Sequence, residues 1–245
     1  MRIIVTKDYQ ELGNVTAQHL LGTMFGNQNR VNLAITAGAT PKSTYEQLVP
    51  EIRDKAYLNH VHYYNFDEIP YKKTQRDGIT LSALKAQYFE PANISESNIH
   101  PLTVDDVTNF DQDIQDAGGL DLILMGIGED GHFCGNMPGT TQMNDLTTLV
   151  PCTPEMKSLL ANMLGSIDEA PDEYVTMGPQ SVMRAKQLVL IANGKHKAEI
   201  MKKLLTENIS SDLPASILTL HPNLVIIMDE EAASLVPEDR LESAR

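Results

Sequence analysis

The chain has 245 residues, of which 42% are hydrophobic, and a formal net charge of −14 at pH 7. This charge argues against a nucleic-acid partner, because duplex binding depends on clustered Lys and Arg that neutralise phosphates. No stretch approaches the ~20 apolar residues of a membrane-spanning helix, and the N-terminus carries no secretory pattern, so we expect a cytoplasmic protein without a membrane partner.

Short β-branched apolar runs alternate with amphipathic stretches along the chain. In chain order, the predicted strands are Ile3–Val5, Val31–Ile35, Val61–Phe66, Asp121–Gly126, Leu188–Ala192 and Leu224–Met228. The predicted helices are Asp8–Gly22, Lys42–Ile52, Thr80–Tyr88, Phe110–Ala117, Val182–Lys186 and Lys195–Leu205. This alternation is typical of βαβ units. It predicts one α/β domain over residues 1–245, a three-layer, doubly wound, mostly parallel sheet with helices on both faces (Rossmann-like).

The segment from Thr153 to Asp172 interrupts this alternation. It has helical character in its middle and ends in the turn-rich sequence EAPDE. Long inserted segments of this kind are often functional. The sequence leaves two interpretations open, a lid over the site (residues 153–172) and an ordinary pair of surface helices.

The loop after the second predicted strand consists of small residues and leads into a helix. Ligands of open α/β sheets bind outside the carboxyl ends of the strands. Gly38, Ala39 and Thr40 would let a phosphate approach backbone amides at the positive end of the helix dipole. Pro41 is expected at the first helical position. The alternative is a plain strand-to-helix turn that Thr40 caps.

Two adjacent acids, Asp67 and Glu68, follow the third predicted strand, and Pro70 fixes the turn after them. Charges at the end of a buried strand are costly unless they are solvated, paired or used in chemistry. One of the two is therefore a candidate general base. The alternative is a solvated strand end.

The fourth predicted strand leads into the longest glycine-rich loop, GIGEDGHFCGNMPG. It contains a G-x-G-x-x-G pattern, but Gly135 and Pro138 forbid the helix that a dinucleotide site requires. What remains is Asp130 and His132, two residues apart. Imidazole titrates near neutral pH and a carboxylate can orient it, so the pair suits acid and base chemistry on a sugar.

A metal site is a weaker interpretation. His60 and His62 share one face of a strand, and Asp130 and His132 could add two ligands. No further Cys or His completes a familiar spacing, and the two cysteines of the chain lack CxxC partners. We expect no metal and no cofactor, and we interpret the two strand histidines as a polar strand edge.

Six motifs occur together in a fixed order: AGATPKSTY, NFDE, GIGEDGHFCGNMP, YVTMG, NGKHKA and PASILTLH. As a set, they make the chain from about Arg2 to Ala233 resemble the glucosamine-6-phosphate deaminase and isomerase family, which shares its fold with the 6-phosphogluconolactonases. The resemblance implies a cofactor-free enzyme of the hydrolase class, which converts an aminosugar phosphate into the ketose phosphate and releases ammonia. The implied partner is a small-molecule sugar phosphate, and homo-oligomerisation is left open.

The resemblance also implies roles for individual residues. Asp67 would be the base that takes the proton from C2 of the open-chain aminosugar. His132, helped by Asp130, would open the pyranose ring by moving a proton to the ring oxygen. The turn at Gly38–Thr40 and Lys197 would hold the phosphate.

Three positions depart from the family pattern. Deaminases continue the loop with Asn-Glu-Pro, where this chain has Met137 between Asn136 and Pro138. The family's phosphate-binding Arg has no counterpart in residues 147–160, and Ala39 stands where deaminases have Gly. These departures leave two alternatives open, hydrolysis of a phosphorylated sugar lactone by a water that His132 activates, and a non-catalytic sugar-phosphate sensor. Ile69, where lactonases place Arg, and the PASILTLH motif favour deamination.

Overall fold

The computed structural model describes residues 1–26 and 29–242, so residues 27–28 and 243–245 of the predicted domain lie outside the described residues. The strands are β1 (Arg2–Thr6), β2 (Val31–Ala34), β3 (Val61–Tyr64), β4 (Asp67–Glu68), β5 (Ile99–His100), β6 (Leu122–Met125), β7 (Thr148–Pro151), β8 (Glu173–Thr176), β9 (Leu188–Ala192) and β10 (Leu224–Asp229).

The helices are α1 (Tyr9–Phe25), α2 (Lys42–Ile52), α3 (Ile79–Leu84), α4 (Phe110–Asp116), α5 (Pro154–Leu164), α6 (Pro179–Val182), α7 (Ala198–Thr206), α8 (Glu230–Ala233) and α9 (Glu238–Glu242). Across the two described ranges, no helix combines the length and the apolar character that crossing a membrane requires.

Seven strands form one parallel sheet in the order β1-β10-β9-β6-β2-β3-β5. Alternate residues of each strand enter different cores. Ile123 and Met125 of β6 pack in one core with side chains of α4 and α7, whereas Leu122 and Leu124 pack in the other with α1 and α2. Strands buried on both faces need near-continuous apolar sequence, which is the pattern of the predicted strands. The predicted doubly wound, mostly parallel sheet is confirmed.

A second, three-stranded antiparallel sheet in the order β4-β8-β7 was not predicted. Its first strand has only two residues, too few for an apolar alternation to show. In this sheet Asp67 pairs with Thr176 of β8. The small sheet therefore fixes the segment that carries the candidate base.

Several predicted helix boundaries were wrong. The helix predicted at Val182–Lys186 instead occupies Pro179–Val182, where Pro179 opens the first turn. Pro41 precedes α2 instead of being its first residue, and α2 starts at Lys42. The helix predicted at Thr80–Tyr88 begins one residue earlier and continues beyond α3 as a π-helical turn. Pro initiates helices readily because its φ angle is already helical, which explains the shift at Pro179.

The segment 153–172 contains α5 and a 3₁₀ turn. Leu160 of α5 packs in a small apolar cluster that also contains Ile69, from the loop after β4. An ion pair of 2.9 Å joins Lys72 of that loop to Asp172. The segment is thus attached to the loop that follows the candidate base, and its function as a lid stays a prediction.

Candidate active site

The loops singled out in the sequence follow β2, β3, β6 and β9, which are neighbours in the sheet. All of these strands are parallel, so their carboxyl ends lie at the same edge. The chain order of the sheet reverses between β2 and β6, and this switch point is where open α/β sheets bind ligands. The topology therefore brings the predicted loops to one place.

Asp67 is partly buried, and its Oδ1 accepts a hydrogen bond of 2.9 Å from the hydroxyl of Thr80. Burial raises its pKa to about 6, and the hydrogen bond from Thr80 and the charge of His132 oppose this rise. Asp67 in turn contributes to the raised pKa of Cys134, whose main cause is burial. One charge shifts the pKa of another group in this way only when the two groups are close together. The structure thus places Asp67 beside the loop that carries His132, although 65 positions separate the two in sequence.

Glu68, the neighbouring acid, has a structural role. It is only 4% exposed, and its carboxylate accepts backbone N–H groups of Ile69, Thr80 and Leu81 at 2.8 to 2.9 Å. Burial raises its pKa to about 7 against these hydrogen bonds. The first turn of a helix has amides without intrahelical acceptors. Glu68 therefore caps α3 from outside the helix, and of the two acids only Asp67 is left as the candidate base.

His132 and Asp130 form a hydrogen-bonded pair in the loop after β6. The His132 Nδ1 atom lies 2.6 Å from Asp130 Oδ1, and the side chains are 35% and 50% exposed, respectively. Partial burial acts to raise the pKa of Asp130, but the hydrogen bonds and charge of His132 outweigh it, and the pKa lies below its usual value. Asp130 is thus ionised at neutral pH and can orient the imidazole. A Cβ atom at Gly128 would lie 2.1 Å from Nδ1, so the pair occupies the space that a side chain there would need.

Two other segments hold this loop in place. The backbone N–H of Ala215 donates to the carbonyl of Gly131 at 2.9 Å, and Gly131 has a left-handed φ of 87°. The amide of Gly135 donates to the hydroxyl of Thr176 at 2.9 Å. The PASILTLH motif, which contains Ala215, therefore supports the His132 loop. Its terminal His221 is buried and lies 2.9 Å from the carbonyl of Ala185, away from the site residues.

The predicted phosphate turn connects β2 to α2. Gly38 has a left-handed φ of 119°, while Ala39 has no positive φ, so the backbone tolerates the Cβ at position 39. The N-cap residue of α2 is Pro41, which has no capping side chain, and the first-turn amide of Ser43 donates instead to the hydroxyl of Tyr9 at 3.0 Å, so the alternative of a turn capped by Thr40 was wrong. Within the described ranges the amides of Ala39 and Thr40 have no protein acceptor, whereas that of Gly38 donates to Gln87 at 3.2 Å. Two free amides near a helix N-terminus are suited to an anion.

Lys197 lies in the 3₁₀ turn that follows β9 and precedes α7. Partial burial lowers its pKa, and the charges of Glu129 and Asp130 oppose this. Lys197 is therefore close to the His132 loop. The structure brings a cation to the same sheet edge as the candidate base and acid.

The strand histidines are not part of this site. His62 Nδ1 lies 2.9 Å from His100 Nε2, and His60 Nε2 lies 3.0 Å from the carbonyl of Met24. Among the described residues, β5 pairs only with Tyr63 and Tyr64 of β3, His60 precedes that strand, and both strand histidines are partly buried, so the interpretation of a polar strand edge stays a prediction. In the part of the chain that the structure describes, no three His, Cys, Asp or Glu side chains are arranged to hold a metal. The absence of a metal or cofactor from the reaction stays a prediction.

Thr80 and Thr176 were missed by the sequence reasoning. Thr80 contacts Asp67 because α3 is docked on Glu68, a long-range arrangement with no local sequence pattern. Thr176 belongs to the YVTMG motif, whose apolar, β-branched residues could have predicted β8.

A model of the family described as glucosamine-6-phosphate isomerases/6-phosphogluconolactonase matches residues 8–226. A glucosamine-6-phosphate deaminase from Oceanobacillus iheyensis is 34% identical over 245 residues, which cover 95% of each chain. A deaminase of the same name from Shouchella clausii is 31% identical over 242 residues, or 96% of this chain and 97% of the relative.

Two solved structures show the same fold. A monomeric glucosamine-6-phosphate deaminase superposes with a TM-score of 0.82 at 29% identity, and covers 96% of this chain and 100% of the other. A 6-phosphogluconolactonase from Trypanosoma cruzi superposes with a TM-score of 0.72 at 17% identity, and covers 95% of this chain and 96% of the other.

Proposed function

This chain belongs to the glucosamine-6-phosphate isomerase/6-phosphogluconolactonase family, and on this premise we propose that it is an enzyme that deaminates glucosamine 6-phosphate or a close epimer to the ketose phosphate. The observation that carries the proposal is the convergence of Asp67 with the His132–Asp130 pair at one sheet edge. We assign the enzyme to the cytoplasm, since charged sugar phosphates do not cross membranes freely.

Substrate binding begins with the phosphate. The amides of Ala39 and Thr40 supply neutral donors, and Lys197 supplies a positive charge. Such a local cation is needed because the chain as a whole carries a net charge of −14, which repels a phosphate. The phosphate fixes one end of the sugar, so that its C1–C2 end lies between the candidate acid and base.

Ring opening is assigned to His132. Its Nδ1 faces Asp130, so Nε2 is the atom that exchanges protons with the sugar. Transfer of a proton to the ring oxygen, with loss of the proton of the C1 hydroxyl, breaks the C1–O bond of the ring and leaves an aldehyde at C1. Asp130 stabilises the positive charge that the imidazole carries before it releases its proton.

Asp67 then takes the proton from C2. The electron pair of the C2–H bond forms a C1–C2 double bond, and a proton moves to the oxygen on C1, which gives an enolamine. Return of a proton to C1 leaves an imine at C2; water adds to this carbon and ammonia leaves, so that the ketose phosphate forms. Because water is consumed, we assign the reaction to the hydrolase class. A carboxylate whose pKa is raised to about 6 is a stronger base than an ordinary Asp and is still ionised at neutral pH.

We further propose that segment 153–172, together with the loop after β4, covers the substrate. The ion pairs of Lys72 with Asp172 and of Lys73 with Asp168 join these two segments at 2.9 and 2.8 Å, so they would move together. A closed lid would keep water from the enolamine until C1 is protonated.

One observation favours lactone hydrolysis instead. Met137 stands where deaminases have the Glu that partners the catalytic His, and hydrolysis needs only an activated water. Against it, the lactonase structure shares only the fold at 17% identity, whereas the deaminase relatives are 31–34% identical. Against a non-catalytic sensor, both candidate reacting groups are present with hydrogen-bond partners, His132 with Asp130 and Asp67 with Thr80.

The test is an assay of the pure protein for ammonia with glucosamine 6-phosphate and galactosamine 6-phosphate. We expect release from at least one of them, and Asp67→Asn should lower kcat by about 10²- to 10⁴-fold, the usual contribution of one proton transfer. Asp116→Asn, on the exposed end of α4, is the matched control. Hydrolysis of 6-phosphogluconolactone without ammonia from either aminosugar would establish the lactonase alternative and reject deamination.

A further inference from the structure

Thr80 is held by both acids of the Asp67–Glu68 pair. Its hydroxyl donates to Asp67 Oδ1 at 2.9 Å, and its backbone N–H donates to Glu68 Oε1 at 2.8 Å. One residue therefore donates hydrogen bonds to two adjacent carboxylates. Its side chain contacts the candidate base, while its backbone is fixed by the acid that caps the helix.

The position of Thr80 is set by how α3 begins. Gly78 precedes the helix and has no side chain that could cap it, so Glu68 supplies the acceptor for the amides of Thr80 and Leu81. A Cβ atom at Gly78 would lie 2.3 Å from Glu68 Oε1, which shows how closely the carboxylate is packed against the helix start. The first turn of α3 is thus anchored to β4, a strand that consists only of Asp67 and Glu68.

The two oxygens of Asp67 are not equivalent. Oδ1 accepts the hydrogen bond from Thr80, whereas Oδ2 has no protein partner within residues 1–26 and 29–242. Within these ranges Oδ2 is not a buried atom without a partner, so this unpaired oxygen faces accessible space. The free oxygen is the one available to take a proton.

We propose that Thr80 is a positioning residue for the general base: its hydroxyl fixes Asp67 by Oδ1 and leaves Oδ2 to take the proton from C2. This inference rests on the proposed function. A hydroxyl has a single proton, and by donating it to Oδ1 it restricts rotation of the carboxylate about its last torsion. It also stabilises the ionised form, which opposes the rise in pKa that burial causes.

Two variants separate the hydroxyl from the shape of the side chain. Thr80→Val keeps the branched shape and removes the donor, and Thr80→Ser keeps the donor. Thr23→Val is the matched control, because Thr23 is also partly buried and its hydroxyl donates to a carbonyl of its own helix, α1. Thr23 is remote from the site: it lies one turn after His19, and His19 contacts Gln187, which precedes β9 at the opposite edge of the sheet.

For Thr80→Val we expect kcat to fall at least about tenfold and its acid limb to move to higher pH by about one unit, as for loss of a hydrogen bond to a charged group. KM should change little, because the phosphate contacts are unaffected. Thr80→Ser should restore most of kcat and the original pH profile, and Thr23→Val should resemble the parent protein. An unchanged kcat profile in Thr80→Val, or equal damage in Thr80→Ser, would overturn the proposal.

A second measurement does not depend on turnover. Titration of the Asp67 carboxyl carbon by ¹³C NMR in the substrate-free protein should give a higher pKa in Thr80→Val than in the parent or Thr80→Ser. If the parent protein releases no ammonia, the proposed function fails, and the NMR titration alone decides whether Thr80 sets the state of Asp67. An Asp67 pKa that is the same in all three proteins rejects the role of Thr80.

Discussion

A single oxygen of Asp130 accepts two hydrogen bonds from His132, one from Nδ1 at 2.6 Å and one from the backbone amide at 3.1 Å. An ionised carboxylate can only accept, so Nδ1 carries a proton and Nε2 remains to exchange one. The hydrogen bond from the backbone amide fixes the orientation of the carboxylate relative to the imidazole ring. Ring opening in the proposed reaction depends on this pair.

Replacing Asp130 by Asn should lower kcat by about 10²- to 10⁴-fold. The amide has no charge to stabilise the protonated imidazole, and it can turn its NH₂ group toward Nδ1, which selects the wrong tautomer. Steady-state ammonia release checks this, with Asp116→Asn as the control. A kcat within a factor of about two of the parent would mean that His132 does not act through Asp130.

Gly128→Ala should reduce activity more than stability. The new Cβ would lie 2.1 Å from His132 Nδ1 and 2.5 Å from Asp130 Oδ1, so the half-exposed pair must move aside. We expect kcat to fall by on the order of 10²-fold, since small displacements of a catalytic group are that costly. Gly126→Ala is the matched control in the same loop, because its Cβ meets only the Ile191 carbonyl at 4.0 Å. Equal kcat values in the two variants would refute the steric argument.

The pH dependence of kcat should show an acid limb above the range of an ordinary Asp, because burial raises the pKa of Asp67 to about 6 in the substrate-free protein. The base must be ionised, so the rate falls as the pH drops through this value and is constant above it until another group titrates. We specify kcat because the free substrate's own phosphate also titrates near pH 6 and would distort kcat/KM. A profile that stays flat down to pH 4, the region of an ordinary Asp, would contradict a base of raised pKa.

Lys197→Ala should raise KM by about 10- to 100-fold, the range for losing a charge-assisted hydrogen bond, with a smaller effect on kcat. Lys197 is close to Glu129 and Asp130, whose charges oppose the lowering of its pKa by partial burial. Lys195, in the same turn, is exposed, and Lys195→Ala is the control. Initial rates over a range of substrate concentrations distinguish the two, and a similar KM in both variants would remove Lys197 from the phosphate site.

Acid should destabilise the fold through His62 and His100. Burial, followed by the charge of Arg30, lowers the pKa of both, to about 4 for His62. The unfolded chain, with a His pKa near 6.5, therefore binds more protons than the folded one, and stability is lost as the pH falls from about 6.5 to about 4. His62→Asn should lessen this loss relative to the exposed control His196→Asn. Urea unfolding at several pH values measures it, and parallel pH dependences in the two variants would exclude His62.

Much of the sheet could be predicted because its strands are buried on both faces. Every one of the six predicted strands lies in the seven-stranded sheet, and Leu188–Ala192 has the predicted bounds. Short, near-continuous apolar runs are the pattern of parallel strands that helices cover on both sides. By contrast, β4 and β5 have two residues each, and their pairing depends on distant partners.

The candidate site could be predicted in its reactive groups but not in their supports. Asp67, Asp130 and His132 are visible as unusual polar residues at strand ends. The contact of Thr80 with Asp67 depends on a helix start that Glu68 anchors, and Ala215 reaches the His132 loop from more than eighty positions away. Contacts across such distances in sequence leave no local periodicity.

The strand β8 carries neither Asp67 nor His132, and yet it contacts the segments that carry both. The backbone of Thr176 pairs with that of Asp67, and the hydroxyl of Thr176 accepts a hydrogen bond from the amide of Gly135, which lies in the loop that carries His132. One fully buried residue therefore ties the segment of Asp67 to the loop of His132. A substitution at position 176 would therefore change the distance between the base and the acid, and with it the rate of the proposed reaction, while every proton-transferring group keeps its chemical identity.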